Sequence, residues 1–294
     1  MALDPLIQQA HTEIERQLDA LIAEHSNLPY ASLFSAARYS LLAGGKRLRP
    51  LLVIATAASY GAPLSHALQP ACALEMVHTY SLIHDDLPCM DDDDLRRGRP
   101  TLHKVYPEWH ALLAGDFLLT HAFEVLANAT HLTDAQKIAL VRSLASYSGG
   151  HGMIGGQMID LLSVGKTVNW STVELMHRCK TAGLLIAAVE FGAIIANVPP
   201  VERDLLKAAA ESAGIAFQLV DDILDETGIE KDLGKTIGSD RENQKATAAT
   251  FLGLTSARAK ADALLSSAQM TLQSLSRPVP LLSSLFDQLV NRHK

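Results

Sequence analysis

Cysteine is scarce in this chain: Cys72, Cys89 and Cys179 are the three in 294 residues. An odd number at wide spacing excludes a disulfide framework and suits a reducing compartment. Aromatic residues make up only 5%, and the alternation of apolar and polar residues typical of strands is rare, which argues against sandwiches and barrels. No Pro/Ser-rich or low-complexity stretch divides the sequence, and no fixed period suggests a solenoid. No apolar run reaches the ~18 uncharged residues that span a bilayer, because Glu190 interrupts the best candidate. Basic residues are outnumbered, 25 Lys and Arg against 32 Asp and Glu for a net charge of −7, which argues against a general nucleic-acid binder. Met1-Ala2-Leu3-Asp4-Pro5 lacks the charged start and apolar run of a secretion signal, so a soluble cytoplasmic protein is expected.

What the sequence has in quantity is helix-forming apolar residue, with Ala and Leu dominant and 48% hydrophobic content. That is enough to fill one large core, and an all-α domain spanning 1–294 is expected. Leu184-Leu185-Ile186-Ala187-Ala188-Val189 and Phe191-Gly192-Ala193-Ile194-Ile195 are continuous enough for helices buried on most sides, and Pro199-Pro200 reads as a turn between helices.

Two acidic segments each close an apolar helical stretch: His84-Asp85-Asp86-Leu87-Pro88-Cys89-Met90-Asp91 and Gln218-Leu219-Val220-Asp221-Asp222-Ile223-Leu224-Asp225. Carboxylates at the ends of apolar helices are costly to desolvate, so clustering them there points to bound cations. Asp221 and Asp225 are four apart, on one helix face and about 6 Å apart at Cβ. Asp222 points to one side. Asp85 and Asp91 are six apart and would diverge on an unbroken helix, but Pro88 should end or kink it near Leu87 and let Asp91 swing back. Carboxylates without thiolates or a histidine cluster suit Mg²⁺ or Mn²⁺. A calcium loop fits poorly, because four consecutive Asp from Asp91 run into Leu95 and Arg96 with no Gly at the sixth position.

Metals held this way need an anion. Gly44-Gly45-Lys46-Arg47-Leu48-Arg49-Pro50 puts three cations behind two glycines, so the backbone at Gly45 can approach a phosphate while Lys46 and Arg49 neutralise it. Arg96-Arg97-Gly98-Arg99-Pro100 adds a second basic cluster directly after the first acidic one. Neither matches the phosphate loop that ends in Gly-Lys-Ser/Thr. A diphosphate ligand fits the metals, and a second anion fits the basic strings alone.

These strings, with Gly155-Gly156-Gln157-Met158-Ile159-Asp160, Lys180-Thr181-Ala182-Gly183-Leu184 and Leu233-Gly234-Lys235, resemble the bacterial farnesyl diphosphate synthases of the trans-prenyltransferase, or polyprenyl synthase, family. The similarity runs over about residues 41–240 and carries five ordered motifs. It implies a helical bundle of the isoprenoid synthase type around a central cavity, working as a homodimer. It implies head-to-tail condensation of isopentenyl diphosphate with dimethylallyl and geranyl diphosphate, with geranylgeranyl or geranyl diphosphate synthesis as the alternative. By the same resemblance, Asp85, Asp86, Asp91, Asp221, Asp222 and Asp225 would hold three Mg²⁺ ions around the allylic diphosphate, which Arg96, Lys180 and Lys235 also grip. Lys46, Arg49, His78 and Arg97 would bind isopentenyl diphosphate, and Thr181 and Gln218 would stabilise the allylic cation.

A carbocation must be kept from water, so its cavity should be apolar and closed by loops, and 228–240, with three glycines and several charges, is expected to be a lid. Tyr80 lies about 7.5 Å of helix rise below Asp85, where a large ring would floor the cavity. In the resembling family an aromatic residue five before the first Asp goes with stopping at farnesyl. Helical angles put Ser81 closer than Tyr80 to the direction of Asp85.

His84 beside Asp85 invites a metal phosphohydrolase reading, which leaves the second acidic segment and both basic strings without a task. A non-catalytic subunit would show degenerate Asp motifs, and all six carboxylates are present. A terpene cyclase would not need Lys46, Arg49 and Arg97. The chain departs from the family after the second acidic segment, with Lys245-Ala246-Thr247-Ala248-Ala249 where Lys-x-Thr-Tyr-Pro is common. That puts Lys245 as a diphosphate contact in doubt. Arg292 and Lys294 resemble a basic tail that helps close the site.

Overall fold

The computed structural model describes residues 5–23, 26–227 and 245–291. Helix α1 (Pro5–Leu21) shows why these segments fold as they do: Ile7, Ala10, Ile14 and Leu18 recur at three- and four-residue steps, so one face is apolar and buried. Helices α2 (Ala31–Leu41), α3 (Leu48–Ser59) and α4 (Leu64–Asp85) follow. Strands β1 (Leu95–Arg96) and β2 (Arg99–Pro100) form a hairpin, with Leu95 opposite Pro100 and Arg96 opposite Arg99. It is the only strand pairing among the described residues, so the all-α expectation holds. Arg97 and Gly98 both take positive φ at its tip, the pattern of a two-residue turn that matches strand twist.

After α5 (Leu102–Val105) come α6 (Glu108–Ala127), α7 (Asp134–Ser148), α8 (Met153–Ser163) and α9 (Trp170–Met176). Thr133 and Gln136 close a reciprocal capping box at the start of α7. Helix α9 continues through a π-helical turn, His177–Ala182, into α10 (Gly183–Ile195). Every residue of α10 except Glu190 is buried, and it packs against α3, α7 and the long α11 (Pro200–Thr227). The one interrupting charge is met by its neighbours: Ser143 Oγ donates to Glu190 at 2.6 Å and Lys207 Nζ lies 3.7 Å away. The Pro199-Pro200 turn falls between α10 and α11, with Pro200 opening the helix where its missing N–H costs nothing. Helices α12 (Ala248–Leu252), α13 (Leu254–Gln273) and α14 (Pro280–Val290) complete the bundle. One buried cluster extends from Ile7 to Val290.

One cation of the Gly44–Arg49 string belongs to this framework and not to the site. Arg47 is only 2% exposed. Its guanidinium donates to Glu15 at 2.6 and 3.1 Å, to Glu75 at 3.0 Å and to the Leu41 carbonyl at 2.8 Å. It therefore ties α1 and α4 to the end of α2. Removing one partner of a buried ion pair leaves the other charged and unpaired, which typically costs about 3–5 kcal/mol. Arg47→Met is expected to lose stability on that scale in urea unfolding; a loss no larger than that of a surface Arg→Met control would show that Arg47 holds nothing.

Candidate active site

Helix α4 ends at Asp85, and the chain then doubles back over Pro88. The Asp91 N–H donates to the Asp85 carbonyl at 2.9 Å, and the Asp92 N–H, in a residue with φ of +51°, donates to Leu87 O at 3.2 Å. This tight return brings Asp91 beside Asp85, as Pro88 led one to expect. Opposite them, α11 carries Asp221 and Asp222. Asp85, Asp91, Asp221 and Asp222 line one cavity of about 420 Å³ together with His78, Arg96, Arg97, Lys180, Thr181 and Gln218.

Burial shapes the electrostatics. The Asp85 carboxyl is pushed above its ordinary range mainly by burial, and the charge of Asp91 adds to the push against Lys180, Arg96 and Lys245. Burial lifts Asp86 to about 6 despite Arg96, which donates to it at 2.5 and 2.9 Å. Carboxylates held out of water near one another are stabilised by a hard cation in the same space. Among the described residues, no three His, Cys, Asp or Glu side chains converge on one point, so ions here would take part of their coordination from a ligand, as Mg²⁺ does with phosphate oxygens. The all-oxygen donor set fits such an ion.

The basic residues gather at one side. Arg49 is drawn down to about 10, chiefly by burial. Burial, then the charges of Arg49, Arg97, Arg96 and Arg47, keeps the His78 imidazole well below its usual range. Arg97 reaches back to donate to the Gly44 carbonyl. A side chain at Gly45, where φ is +128°, would meet that guanidinium at 2.9 Å, so only glycine leaves room. Repelling cations packed this closely form a site for an anion.

Lys180 and Thr181 sit on the π-helical turn, a local widening that often marks functional positions. Lys180 Nζ donates to Asp160 at 2.5 Å. A Cβ at Gly156 would stand 2.3 Å from the Lys180 backbone nitrogen, so glycine is what lets α8 touch this turn. The string Gly155–Asp160, without an assigned task in the sequence, is thus the support for Lys180. Thr181 Oγ1 donates to Gln218 Oε1 at 2.5 Å, and Gln218 Nε2 donates to Asp222 at 2.8 Å.

Below Asp85 a second, largely apolar cavity of about 540 Å³ is lined by Tyr80, Ser81, Met90, Leu119, Met153, Met158 and Leu161, among others, and shares Asp85, Lys180 and Thr181 with the first. Tyr80 is 5% exposed, and burial raises its phenol to about 12. Arg49 borders this cavity and not the upper one.

Other expected residues lie elsewhere. Lys46 lines a separate apolar cavity with Ile7, Leu48, Phe217 and Leu289. Asp86 faces Arg96, and Asp225 is 3% exposed and absent from the upper cavity's walls. Lys235, Arg292, Lys294 and the segment 228–240 lie outside the described residues. One contributor was marked in the sequence only by an altered motif, and one was not marked at all. Lys245 lies on the upper cavity's wall and donates to Asp91 at 3.1 Å, and His177, a lone histidine, is buried with Nε2 3.4 Å from Asp222.

Helices that bring two acidic walls and a basic cluster to the mouth of an apolar pocket define the isoprenoid synthase class. Within it, the chain belongs to the polyprenyl synthetase family, which matches residues 31–276. It is similar to a farnesyl diphosphate synthase of Bacillus subtilis, 44% identical over 95% of this chain and 94% of that protein. It is also similar to geranylgeranyl pyrophosphate synthase 7 of Arabidopsis thaliana, 47% identical over 85% of this chain and 74% of that one. Among solved structures it resembles a Helicobacter pylori geranyltransferase complexed with magnesium and isoprenyl diphosphate, with a TM-score of 0.84 and 35% identity over 99% and 98% of the two chains.

Proposed function

We propose that this protein is a divalent-metal-dependent prenyltransferase that condenses isopentenyl diphosphate head to tail with dimethylallyl and then geranyl diphosphate, giving farnesyl diphosphate. One observation carries the reading: both acidic segments line a single cavity that opens onto an apolar pocket. An allylic diphosphate has that polarity, an anionic head of up to three negative charges on a hydrocarbon tail.

Asp85 and Asp91 on one wall and Asp221 on the other would hold Mg²⁺ or Mn²⁺ together with the diphosphate oxygens, three ions in all. When bound, such ions would supply charge neutralisation that makes the diphosphate a better leaving group. Lys180, anchored by Asp160, and Arg96 orient the head. The carbon–oxygen bond breaks with its electron pair leaving on the diphosphate, and the oxygens of Thr181 and Gln218 stand beside the resulting cation. The double bond of isopentenyl diphosphate, held by Arg49, His78 and Arg97, supplies the pair for the new carbon–carbon bond. A proton lost to the released pyrophosphate restores an alkene. The second anion site supports a transferase over a cyclase, which needs one diphosphate only.

The homodimer belongs to the same reading. Trp109, Leu112 and Leu113 on α6 and Ile154, Met158 and Leu162 on α8 are all 45–61% exposed, and exposed apolar clusters of this kind are characteristic of subunit interfaces. Sedimentation should give a two-chain species, and a single-chain species at micromolar concentration would remove that element. No described helix is long and apolar enough to cross a membrane.

Radiolabelled isopentenyl diphosphate should be incorporated with either allylic starter, and chelation of divalent metal should abolish it. No incorporation with any starter would leave a non-catalytic subunit ahead. The buried Tyr80 ring favours farnesyl over geranylgeranyl product, and Tyr80→Ala is expected to move the products to longer prenyl chains on chromatography. An unchanged product would dismiss the ring as the floor.

A further inference from the structure

The hydrogen bonds around Asp222 admit only one direction. Asp222 is 3% exposed, and both of its oxygens are engaged. Gln218 Nε2 donates to Oδ1 at 2.8 Å, the backbone N–H of Ala248 donates to Oδ2 at 2.6 Å, and His177 Nε2 stands 3.4 Å from Oδ2 without forming a hydrogen bond. A carboxylate can only accept. It therefore selects the NH₂ end of the Gln218 amide and turns the carbonyl end away from itself. That carbonyl in turn accepts from the Thr181 hydroxyl at 2.5 Å, which fixes the hydroxyl hydrogen and leaves the Thr181 oxygen lone pairs directed elsewhere. Thr181, Gln218 and Asp222 all line the cavity that holds the acidic walls.

We propose that Asp222 is a positioning residue. As the acceptor-only root of the chain Asp222–Gln218–Thr181, it orders both hydrogen bonds so that oxygen lone pairs, and not hydrogens, face the allylic carbon as positive charge develops. The idea rests on the prenyltransferase reading and separates Asp222 from its neighbour Asp221, whose carboxylate serves the metal. Its consequence is specific. An asparagine of the same shape at 222 can offer a donor where only an acceptor stood, letting the Gln218 amide turn over and the Thr181 hydrogen point at the cation.

Two measurements on the full-length protein test this. Mn²⁺ binding is titrated by electron paramagnetic resonance in the presence of inorganic pyrophosphate, and condensation is followed in a single turnover by rapid quench. For Asp222→Asn the single-turnover rate should fall on the order of 100-fold, the scale seen when an oriented electrostatic group is removed, while the number of Mn²⁺ sites stays the same and affinity holds within about threefold. Asp221→Asn should instead lose Mn²⁺ binding. Gln218→Met, which breaks the chain but leaves the Asp222–Ala248 bond, should repeat the rate loss with Mn²⁺ binding intact, and it decides the matter if Asp222→Asn fails to fold. Loss of Mn²⁺ sites in Asp222→Asn equal to that in Asp221→Asn would make Asp222 a ligand and overturn the proposal. So would single-turnover rates within about twofold of wild type in the folded variants. A wild-type protein that condenses nothing, while still binding Mn²⁺ and pyrophosphate, overturns the prenyltransferase reading itself, whereas an active wild type with unaffected variants overturns only the positioning role.

Discussion

Everything at the mouth of this bundle follows from the expense of keeping like charges out of water together. Asp85 and Asp91 are drawn side by side by a backbone hydrogen bond between them, although burial and the charge of Asp91 both resist ionisation of Asp85. The protein offsets part of this with its own cations, Arg96 on Asp86 and Lys245 on Asp91. That compensation is local, and Asp221 faces it across the cavity, where carboxylate oxygens suit hard cations and their phosphate ligands. A hard cation and its anionic ligand bound there would relieve this repulsion.

Positive charge is distributed by the opposite logic. Arg47 and Arg49 are two residues apart in one string, yet their fates diverge because helix α3 starts between them. Arg47, at φ of +45° just before the helix, turns into the protein onto Glu15 and Glu75. Arg49, inside the first turn, is aimed at the site, where its Nε has no partner among the described residues. With carboxylates closing the charge on one arginine and nothing described on the Nε of the other, the framework cation stays fixed while the site cation remains able to bind an anion.

Much of this was legible in the sequence. The apolar continuity of 184–189 and 191–195 announced a buried helix, and Pro88 located the first acidic wall; on the second wall the four-residue spacing pointed to Asp221 and Asp225, whereas Asp222 and not Asp225 joins Asp221 on the cavity. What was hidden depends on contacts between distant segments. Nothing in a linear reading separates Arg47 from Arg49, because both sit in the same basic string. The π-helical turn is invisible too, since one extra residue in a helical run changes no periodicity over so short a stretch. Gly156 and Asp160 were visible as a motif but not as support for Lys180, because that pairing joins two helices. Lys46 shows the reverse case: a lysine beside two glycines suggested the anion site, and the turn of the chain directs it to a neighbouring apolar cavity.

The departure from the family pattern after the second acidic segment is smaller than it looks, for reasons of backbone chemistry. Where Lys-x-Thr-Tyr-Pro is common, Lys245, Thr247 and their spacing survive, and each has a contact: Lys245 with Asp91, and Thr247 as the cap of α12, accepting from the Thr250 N–H at 3.3 Å. The position of the tyrosine is taken by Ala248, whose contribution is its backbone N–H to Asp222, a donor that either residue supplies. The proline position falls on Ala249, the second residue of α12, where a helix makes no use of an N–H. Proline there would stiffen the first turn without adding a hydrogen bond, so alanine gives up backbone rigidity while the contacts of Lys245, Thr247 and the Ala248 N–H stay in place.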